Sequence, residues 1–194
     1  AYFYPPTATN PMLQRVGLDD TYRYQPVTNG APIEPETVIE VTSIVGGDYV
    51  VYSDDGIPAN ASIFTWSGSG GTWDAEYSLF PAPEGEESFY ALSIIDYIGW
   101  GIFNTNGVDM SGYTNGYLKF YLFSQETLKV EIEDMDGVKG TMNVPSTEAA
   151  WQDVSIALTN FPSLDYSRIK GYYMITSYDG ALYLVDLVRW SNEE

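Results

Sequence analysis

The segment YLKFYLFSQETLKVEIEDMDG, residues 117–137, gives the clearest indication of the architecture of this chain. Alternate positions of YLKFYLF place Leu118, Phe120 and Leu122 on one face, and TLKVEIED repeats the pattern with its charged residues on the other face. An alternation with a period of two predicts half-buried strands of an antiparallel sheet. The DMDG that ends the segment predicts a tight hairpin turn, because Asp and Gly tolerate the backbone angles that such turns require.

Short segments of the same kind recur on both sides of this hairpin. Strands are predicted at DYVVYS, SIFTW, SFYALSII and GWGIFN before it, and at VKGTMNV, WQDVSIAL, IKGYYMIT and ALYLVDLVRW after it. The 17 Tyr, 18 Gly and 11 Pro among 194 residues also favour strands and turns over long helices. Strands at such short spacing predict an all-β fold with two antiparallel sheets packed as a sandwich.

The charge of the chain narrows the range of partners that it can bind. With 27 acidic and 8 basic residues the net charge is -19, which disfavours nucleic acid and anionic lipid surfaces and favours cations. No apolar run approaches the roughly 20 residues of a membrane span, so membrane insertion is not expected. The Ala at position 1 and the low Lys content are typical of a processed, exported chain, so an extracellular location is expected.

Several kinds of catalysis are excluded or disfavoured. The chain has no Cys and no His, which excludes a thiolate nucleophile, an imidazole base and a Cys/His zinc site. Paired carboxylates can hydrolyse glycosides, and jelly-roll glucanases carry a Glu-x-Asp-x-x-Glu strand. Here Glu131 and Glu133 are followed by Asp134 and Asp136, so the spacing differs. We therefore predict a protein that is not an enzyme.

Four stretches carry a pattern of strands and spacers that points to a family: DMSGYTNGYLKFYLFSQETLKVEIEDMDG, AAWQDVSIALTNF, LDYSRIKGYYMIT and LYLVDLVRW. Over about residues 48–190 this pattern resembles the galactose-binding-like jelly rolls that occur as carbohydrate-binding modules of secreted glycoside hydrolases. The resemblance implies a jelly-roll β-sandwich, a structural calcium ion near the start of the domain and an acidic residue in the last strand. Asp186 lies where that acidic residue is expected.

Asp186 also attracts attention without the resemblance, because it interrupts the apolar strand YLVDLV. A carboxylate in such a strand either faces solvent at a sheet edge or is neutralised by a partner. Calcium would neutralise it, with further oxygen ligands from Asp48, Asp54 and Asp55 near the first strand. The DMDG turn has two acids before a Gly but lacks the other ligands of an EF-hand loop, so a hairpin is predicted there instead.

Sugar binding on such a fold uses exposed aromatic rings with polar neighbours. Trp66 and Trp73 flank the loop SGSGGT and are the first candidates for such a platform, although either could equally be structural. Further candidates are Trp100, Tyr113 and Tyr117, whereas Trp151 and Trp190 are expected to pack in the core or at its rim. Asn60 begins an NAS sequon and is a candidate for N-glycosylation.

The N-terminal segment differs from the rest of the chain. Residues 1–36 are rich in Pro and aromatic residues and predict an extended arm, while TVIEVTSIV predicts the first strand of a sandwich that spans 37–194. Aromatic residues contribute strongly to interfaces, and proline lowers the entropy lost on docking. The arm is therefore predicted to dock on a neighbouring subunit through Tyr2, Phe3, Tyr4, Pro5, Pro6, Met12 and Leu13.

The sequence leaves two hypotheses for the function, a structural protein and a binding module. The first is an extracellular structural subunit, stabilised by calcium, that assembles with itself into filaments through the N-terminal arm, since head-to-tail docking that does not close propagates. The alternative is a non-catalytic carbohydrate-binding module of a polysaccharide-degrading system, whose partner is a polysaccharide. The arm favours the first hypothesis, and the fold alone favours the second.

Overall fold

The computed structural model describes residues 47–194, which form eleven β-strands. Every strand pairing in this range is antiparallel. The strands are β1 (Tyr49–Tyr52), β2 (Ser62–Ser67), β3 (Thr72–Tyr77), β4 (Ser88–Ser93), β5 (Ile98–Val108), β6 (Tyr117–Ser124), β7 (Leu128–Asp134), β8 (Lys139–Val144), β9 (Gln152–Ala157), β10 (Ile169–Ser177) and β11 (Ala181–Ser191). Short 3-10 helices lie at Ser111–Tyr113, Leu158–Asn160 and Tyr166–Arg168. The predicted all-β class is confirmed.

The strands form two sheets that pack face to face. One sheet has six strands in the order β3-β4-β11-β6-β9, with β1 paired to β11, and the other has five strands in the order β2-β5-β10-β7-β8. Sequence neighbours such as β5 and β6 fall in different sheets, so the chain crosses repeatedly between the two layers. This arrangement is the predicted two-sheet antiparallel jelly-roll sandwich.

The core lies between the sheets and is largely aromatic. The rings of Phe89 and Trp100 stack with centroids 3.9 Å apart, and Tyr173 packs edge-on against Phe120 at 5.1 Å. These side chains alternate along their strands with residues that point away from the core, as a period of two requires. Each sheet therefore has one buried face and one outer face.

The predicted hairpin at DMDG joins β7 to β8. Leu128 pairs with Val144 and Glu133 with Lys139, so the register is regular to the turn. The Asp134 carboxylate accepts hydrogen bonds from the backbone N–H groups of Asp136 and Val138, at 3.0 and 2.9 Å. Gly137 has a φ of +80°, a conformation that favours glycine. The turn predicted from the sequence is confirmed.

The connection between β3 and β4, residues 78–87, lies over the outer face of the six-stranded sheet. Near its start, Phe80 packs edge-on against Phe123 of β6 at 5.1 Å, and the Trp151 indole donates to the Pro81 carbonyl at 2.8 Å. Near its end, the Glu84 N–H donates to the Asp186 carboxylate of β11 at 2.7 Å. This covering loop buries side chains that would otherwise face solvent.

Two sequence predictions fall on residues that the structure does not describe. The strand TVIEVTSIV and the extended arm, residues 1–36, lie outside residues 47–194, and so does the boundary that we predict between them. Within the described residues, none of the helices has the length and apolar character needed to cross a membrane.

Candidate functional site

The outer face of the five-stranded sheet carries the first candidate site. Ile98, Trp100 and Ile102 of β5 are buried in the core, so Gly99, Gly101 and Phe103 point to the other side. The same alternation turns aromatic side chains of β2 and charged side chains of β7 toward this face. A groove of about 450 Å³ runs over it. Its lining includes Trp66, Tyr97, Phe103, Lys129, Glu131, Glu133, Lys139, Met174, Thr176 and Tyr178.

Aromatic rings form one side of this groove. Trp66 and Phe103 are partly exposed there, and Tyr97 and Tyr178 are exposed by 42% and 56%. Beside them the half-exposed Phe64 stands almost perpendicular to Phe103, with ring centroids 5.3 Å apart and an interplanar angle of 87°. Rings exposed in this way offer apolar surface to a ligand that has flat apolar faces of its own.

An alternating network of charges forms the other side. The Lys129 ammonium lies 2.8 Å from the Glu131 carboxylate, and that of Lys170 lies 2.5 Å from the Glu133 carboxylate. The Lys139 ammonium lies 3.8 Å from both carboxylates. These residues include three of the four lysines of a chain with a net charge of -19. The network presents ammonium donors and carboxylate acceptors side by side, with a net charge near +1.

One lysine links the two sides. The Lys129 ammonium lies 4.9 Å from the centroid of the Tyr178 ring, within range of a cation–π contact. Burial lowers the pKa of Lys129, but hydrogen bonds with Glu131 and Tyr178 outweigh it and raise the pKa above its usual value. Lys129 is therefore charged at neutral pH, and its charge is matched within the network.

The predicted sugar-binding residues lie in different parts of the structure. Trp66 lies in the groove, whereas Trp73 lies on β3 of the other sheet, so the two do not form one platform. Trp100 must be corrected, because it is fully buried against Phe89 and has no face free for a ligand. The regular alternation of β5 could have indicated this, since Trp100 shares its register with Ile98 and Ile102.

The structure also places the other aromatic residues that the sequence analysis considered. Tyr113 packs edge-on against Trp190 at 6.3 Å, and its hydroxyl donates to the Gly47 carbonyl, away from the groove. Tyr117 belongs to β6 of the six-stranded sheet. Trp190 is fully buried, as predicted, and its indole donates to the Tyr172 carbonyl. Trp151 packs with the covering loop.

Asn60 is exposed before β2, where a glycan could be attached.

An acidic cluster on the outer face of the six-stranded sheet is the second candidate site. Asp54, Glu84 and Asp186 each bring a carboxylate oxygen within 4.8 Å of the others. Asp186 pairs with Tyr121 of β6 and lies just before a bulge, where Leu187 takes a φ of 42°. Asp54 accepts hydrogen bonds from the backbone N–H groups of Glu86 and Glu87, at 2.6 and 3.3 Å. The covering loop thus supplies one carboxylate of the cluster, that of Glu84, and fixes another, that of Asp54.

The cluster fits a hard cation. Asp186 is fully buried, and its Oδ1 has no hydrogen-bond partner within the described residues. Burial raises the pKa of Asp186 to about 7, with smaller contributions from the backbone hydrogen bond to Glu84, which lowers it, and from the Glu84 charge, which raises it. Burial also raises the pKa of Glu84. Three carboxylates with an unpartnered buried oxygen match the oxygen ligands that Ca²⁺ prefers.

The predicted calcium ligands are partly corrected. Asp54 and Asp186 come together, but the Asp48 carboxylate lies 3.0 Å from the Arg189 guanidinium and is occupied by that ion pair. Asp55 is exposed and lies outside the cluster. Glu84 was missed, because it is distant from both strands in sequence and reaches the cluster only through the covering loop.

Comparison with known proteins gives no match in sequence: no family model and no curated protein matches the chain. Solved structures do match. A family 30 carbohydrate-binding module of a cellulosomal cellulase of Clostridium thermocellum aligns with a TM-score of 0.59 and 17% identity, covering 76% of this chain and 98% of that one. This likeness shows the fold. The sandwich is similar to the jelly rolls of carbohydrate-binding modules, which confirms the resemblance inferred from the sequence.

Two further structures were solved with sugars. A family 11 carbohydrate-binding module from Clostridium thermocellum, in complex with a β-1,3-1,4-mixed-linked tetrasaccharide, aligns with a TM-score of 0.56 and 13% identity over 75% of this chain and 95% of that one. A family 29 carbohydrate-binding module complexed with mannohexaose aligns with a TM-score of 0.53 and 11% identity over 75% of this chain and 91% of that one. Both ligands are oligosaccharides.

Proposed function

We propose that this protein is a non-catalytic, extracellular carbohydrate-binding module that holds a neutral polysaccharide in the groove of the five-stranded sheet. The alternative hypothesis of the sequence analysis thus takes first place. The observation that carries the proposal is the composition of the groove, in which exposed rings face a paired network of lysine and glutamate side chains. Pyranose rings combine apolar faces with peripheral hydroxyls, and both halves of the groove match that chemistry.

The charges of the groove favour a neutral ligand. Each glutamate has lysine partners, so no lysine is left over to bind a carboxylate or sulfate group at every sugar. The remaining surface of a chain with a net charge of -19 repels polyanions. A hydroxyl can both accept from an ammonium group and donate to a carboxylate, which makes the network a suitable partner for neutral sugars.

The test uses two tryptophans of the same chain. We expect Trp66→Ala to weaken binding to β-1,3-1,4-mixed-linked glucan roughly tenfold or more, because it removes a ring of the platform. Trp73→Ala is the matched control, since Trp73 is exposed by 42% but lies on the other sheet. Affinity electrophoresis measures binding, and thermal melting checks the fold. Equal retention of the two variants would contradict the proposal.

We also propose that the acidic cluster binds calcium with a structural role. Asp54, Glu84 and Asp186 would hold the ion, and its charge would offset three carboxylates that lie within 4.8 Å of one another. The observation that favours calcium is the fully buried Asp186, whose Oδ1 is unpartnered. The ion would join β11 to the covering loop. Melting curves of the wild type and Asp186→Asn with and without calcium test this role.

The filament hypothesis stays a prediction. It depends on Tyr2, Phe3 and Tyr4 and the rest of the arm, which lie outside the described residues. No observation on residues 47–194 requires a second copy of the chain, whereas the groove fits a glycan without one. Polysaccharide is therefore the partner that we propose.

A further inference from the structure

Three glycines occupy the middle of the outer face that bears the groove. Gly99 and Gly101 belong to β5 and Gly171 to β10, the adjacent central strands of the five-stranded sheet. Glycine weakens the interior of a strand, and it often marks a place where another group approaches the backbone closely. All three glycines are buried although they lie on an outer face, so other side chains cover them.

The covering groups are two rings of the groove, Trp66 and Phe103, together with the side chain of Met174. A Cβ at Gly99 would overlap the Trp66 indole, which therefore reaches across from β2 and lies over β5. A Cβ at Gly171 would lie 3.1 Å from Cε1 of Phe103, and one at Gly101 would lie 3.0 Å from its Cε2. The Phe103 ring thus spans two strands directly above the backbone. Because glycine has no side chain, these three positions leave the space that the rings occupy.

We propose that Gly99, Gly101 and Gly171 are positioning residues for sugar binding, which let Trp66 and Phe103 lie down on the sheet and set the floor of the groove close to the backbone. This inference rests on the proposed function and adds a substrate class to it. A floor of rings that lie along the sheet accepts pyranose units stacked face to ring. It selects polysaccharides whose linkages and hydroxyls are mainly equatorial, because axial groups would hold the sugar away from the rings.

Gly171 gives the cleanest test. A Cβ at Gly99 or Gly101 would also approach a backbone carbonyl of β10, at 2.7 or 2.9 Å, so alanine there would disturb the strand pairing itself. The nearest atoms to a Cβ at Gly171 all belong to side chains. Gly171→Ala therefore presses most closely on the Phe103 ring, which must shift by a few tenths of an ångström, with little change to the sheet. Gly112→Ala is the matched control, since a Cβ at Gly112 would have no atom within 4 Å and the residue does not adopt a left-handed φ.

The experiment measures binding and ring position in the full-length chain. Isothermal titration with cellohexaose, mannohexaose and β-1,3-1,4-mixed-linked glucan gives the affinities of the wild type, Gly171→Ala, Phe103→Ala and the double variant. Incorporation of 4-fluorophenylalanine gives a ¹⁹F resonance for Phe103, assigned by its loss in Phe103→Leu, which reports the ring without any sugar. Thermal melting checks that each variant is folded.

We expect Gly171→Ala to shift the Phe103 resonance and to weaken binding roughly three- to tenfold, the size of one aromatic contact. In the Phe103→Ala background the same substitution should have no further effect, because the ring through which it acts is absent. Gly112→Ala should change neither quantity.

An unchanged affinity in Gly171→Ala, or an equal loss with and without the Phe103 ring, would overturn the inference. Binding of none of the three glycans by the wild type would instead refute the substrate class, and failure to bind any neutral polysaccharide, amylose and dextran included, would refute the proposed function. If no glycan binds, a shift of the Phe103 resonance in Gly171→Ala would still support the inference that Gly171 positions the Phe103 ring. An unchanged resonance would refute that inference too.

Discussion

Asp186→Asn should stabilise the metal-free protein at neutral and alkaline pH. The pKa of Asp186 is about 7 in the folded protein, against 3.8 for the ordinary group. Between these two values the folded state holds a proton that the unfolded chain has released. The free energy of unfolding therefore falls as pH rises, by up to about 1.4 kcal/mol per pH unit. Over some three units the loss is on the order of 4 kcal/mol, complete above pH 7.

Asparagine removes this loss without changing the shape of the side chain. Its oxygen can accept the Glu84 N–H as Asp186 does, and its amide can donate to the other carboxylates of the cluster. In EGTA we expect Asp186→Asn to melt no higher than the wild type near pH 4, and roughly 8–16 °C higher at pH 8 as an upper bound. Melting curves at steps of one pH unit measure the difference between the two proteins, which cancels other titrating groups.

Calcium should narrow the difference in stability between the two proteins at pH 8. Binding to the folded state adds about 2.7 kcal/mol when free calcium is a hundred times its dissociation constant. That addition requires the ionised Asp186, so the wild type should gain stability at pH 8 and Asp186→Asn should gain little. Asp55→Asn is the control, because Asp55 is exposed and outside the cluster. If the wild type and Asp186→Asn melt alike in EGTA at pH 5 and pH 8, and calcium changes neither, the reasoning is refuted.

Three further predictions concern other parts of the molecule. Trp100→Ala should lower the free energy of unfolding in urea by about 3–5 kcal/mol, because it opens a cavity in the core; a loss below 1 kcal/mol would place this ring outside it. Glu131→Gln should weaken glycan retention and lower the melting temperature by a few degrees, since it leaves Lys129 without the carboxylate 2.8 Å away; unchanged retention would remove the network from the site. Deletion of residues 1–30 should abolish any polymers that the intact chain forms, as followed by light scattering and electron microscopy; polymers that persist would refute the docking role of the arm.

The fold could be predicted from the sequence because its signals are local. The alternation around Leu118 and Leu128 and the turn at Asp134 report strand, face and hairpin within a few residues. The strand β3 was missed, since Trp73 was considered only as a residue that flanks the loop SGSGGT and the charged residues of the strand hide its alternation. A strand at the edge of a sheet has few buried positions, so its pattern is weak.

The site could be predicted only in part, because it depends on contacts between distant segments. Trp66 was found as an exposed aromatic candidate, but Phe103 and Tyr178 look like ordinary strand residues until β5 and β10 are adjacent. Glu131 was considered as a residue of the charged strand face and as a possible catalytic acid. In the structure it is an acceptor within a network of lysines. Sheet order, which the sequence does not specify, decides which of these residues meet.

The location of the lysines has a practical consequence for biosensor work. Lys129 and Lys139 line the groove, and Lys170 pairs with Glu133 of its lining. Lys119 on the other sheet is the fourth lysine of the chain. Amine coupling to a sensor chip would therefore attach many molecules through the surface that we propose for the glycan and would report falsely weak affinity. Immobilising the polysaccharide, or coupling the protein through its abundant carboxylates, keeps that surface accessible.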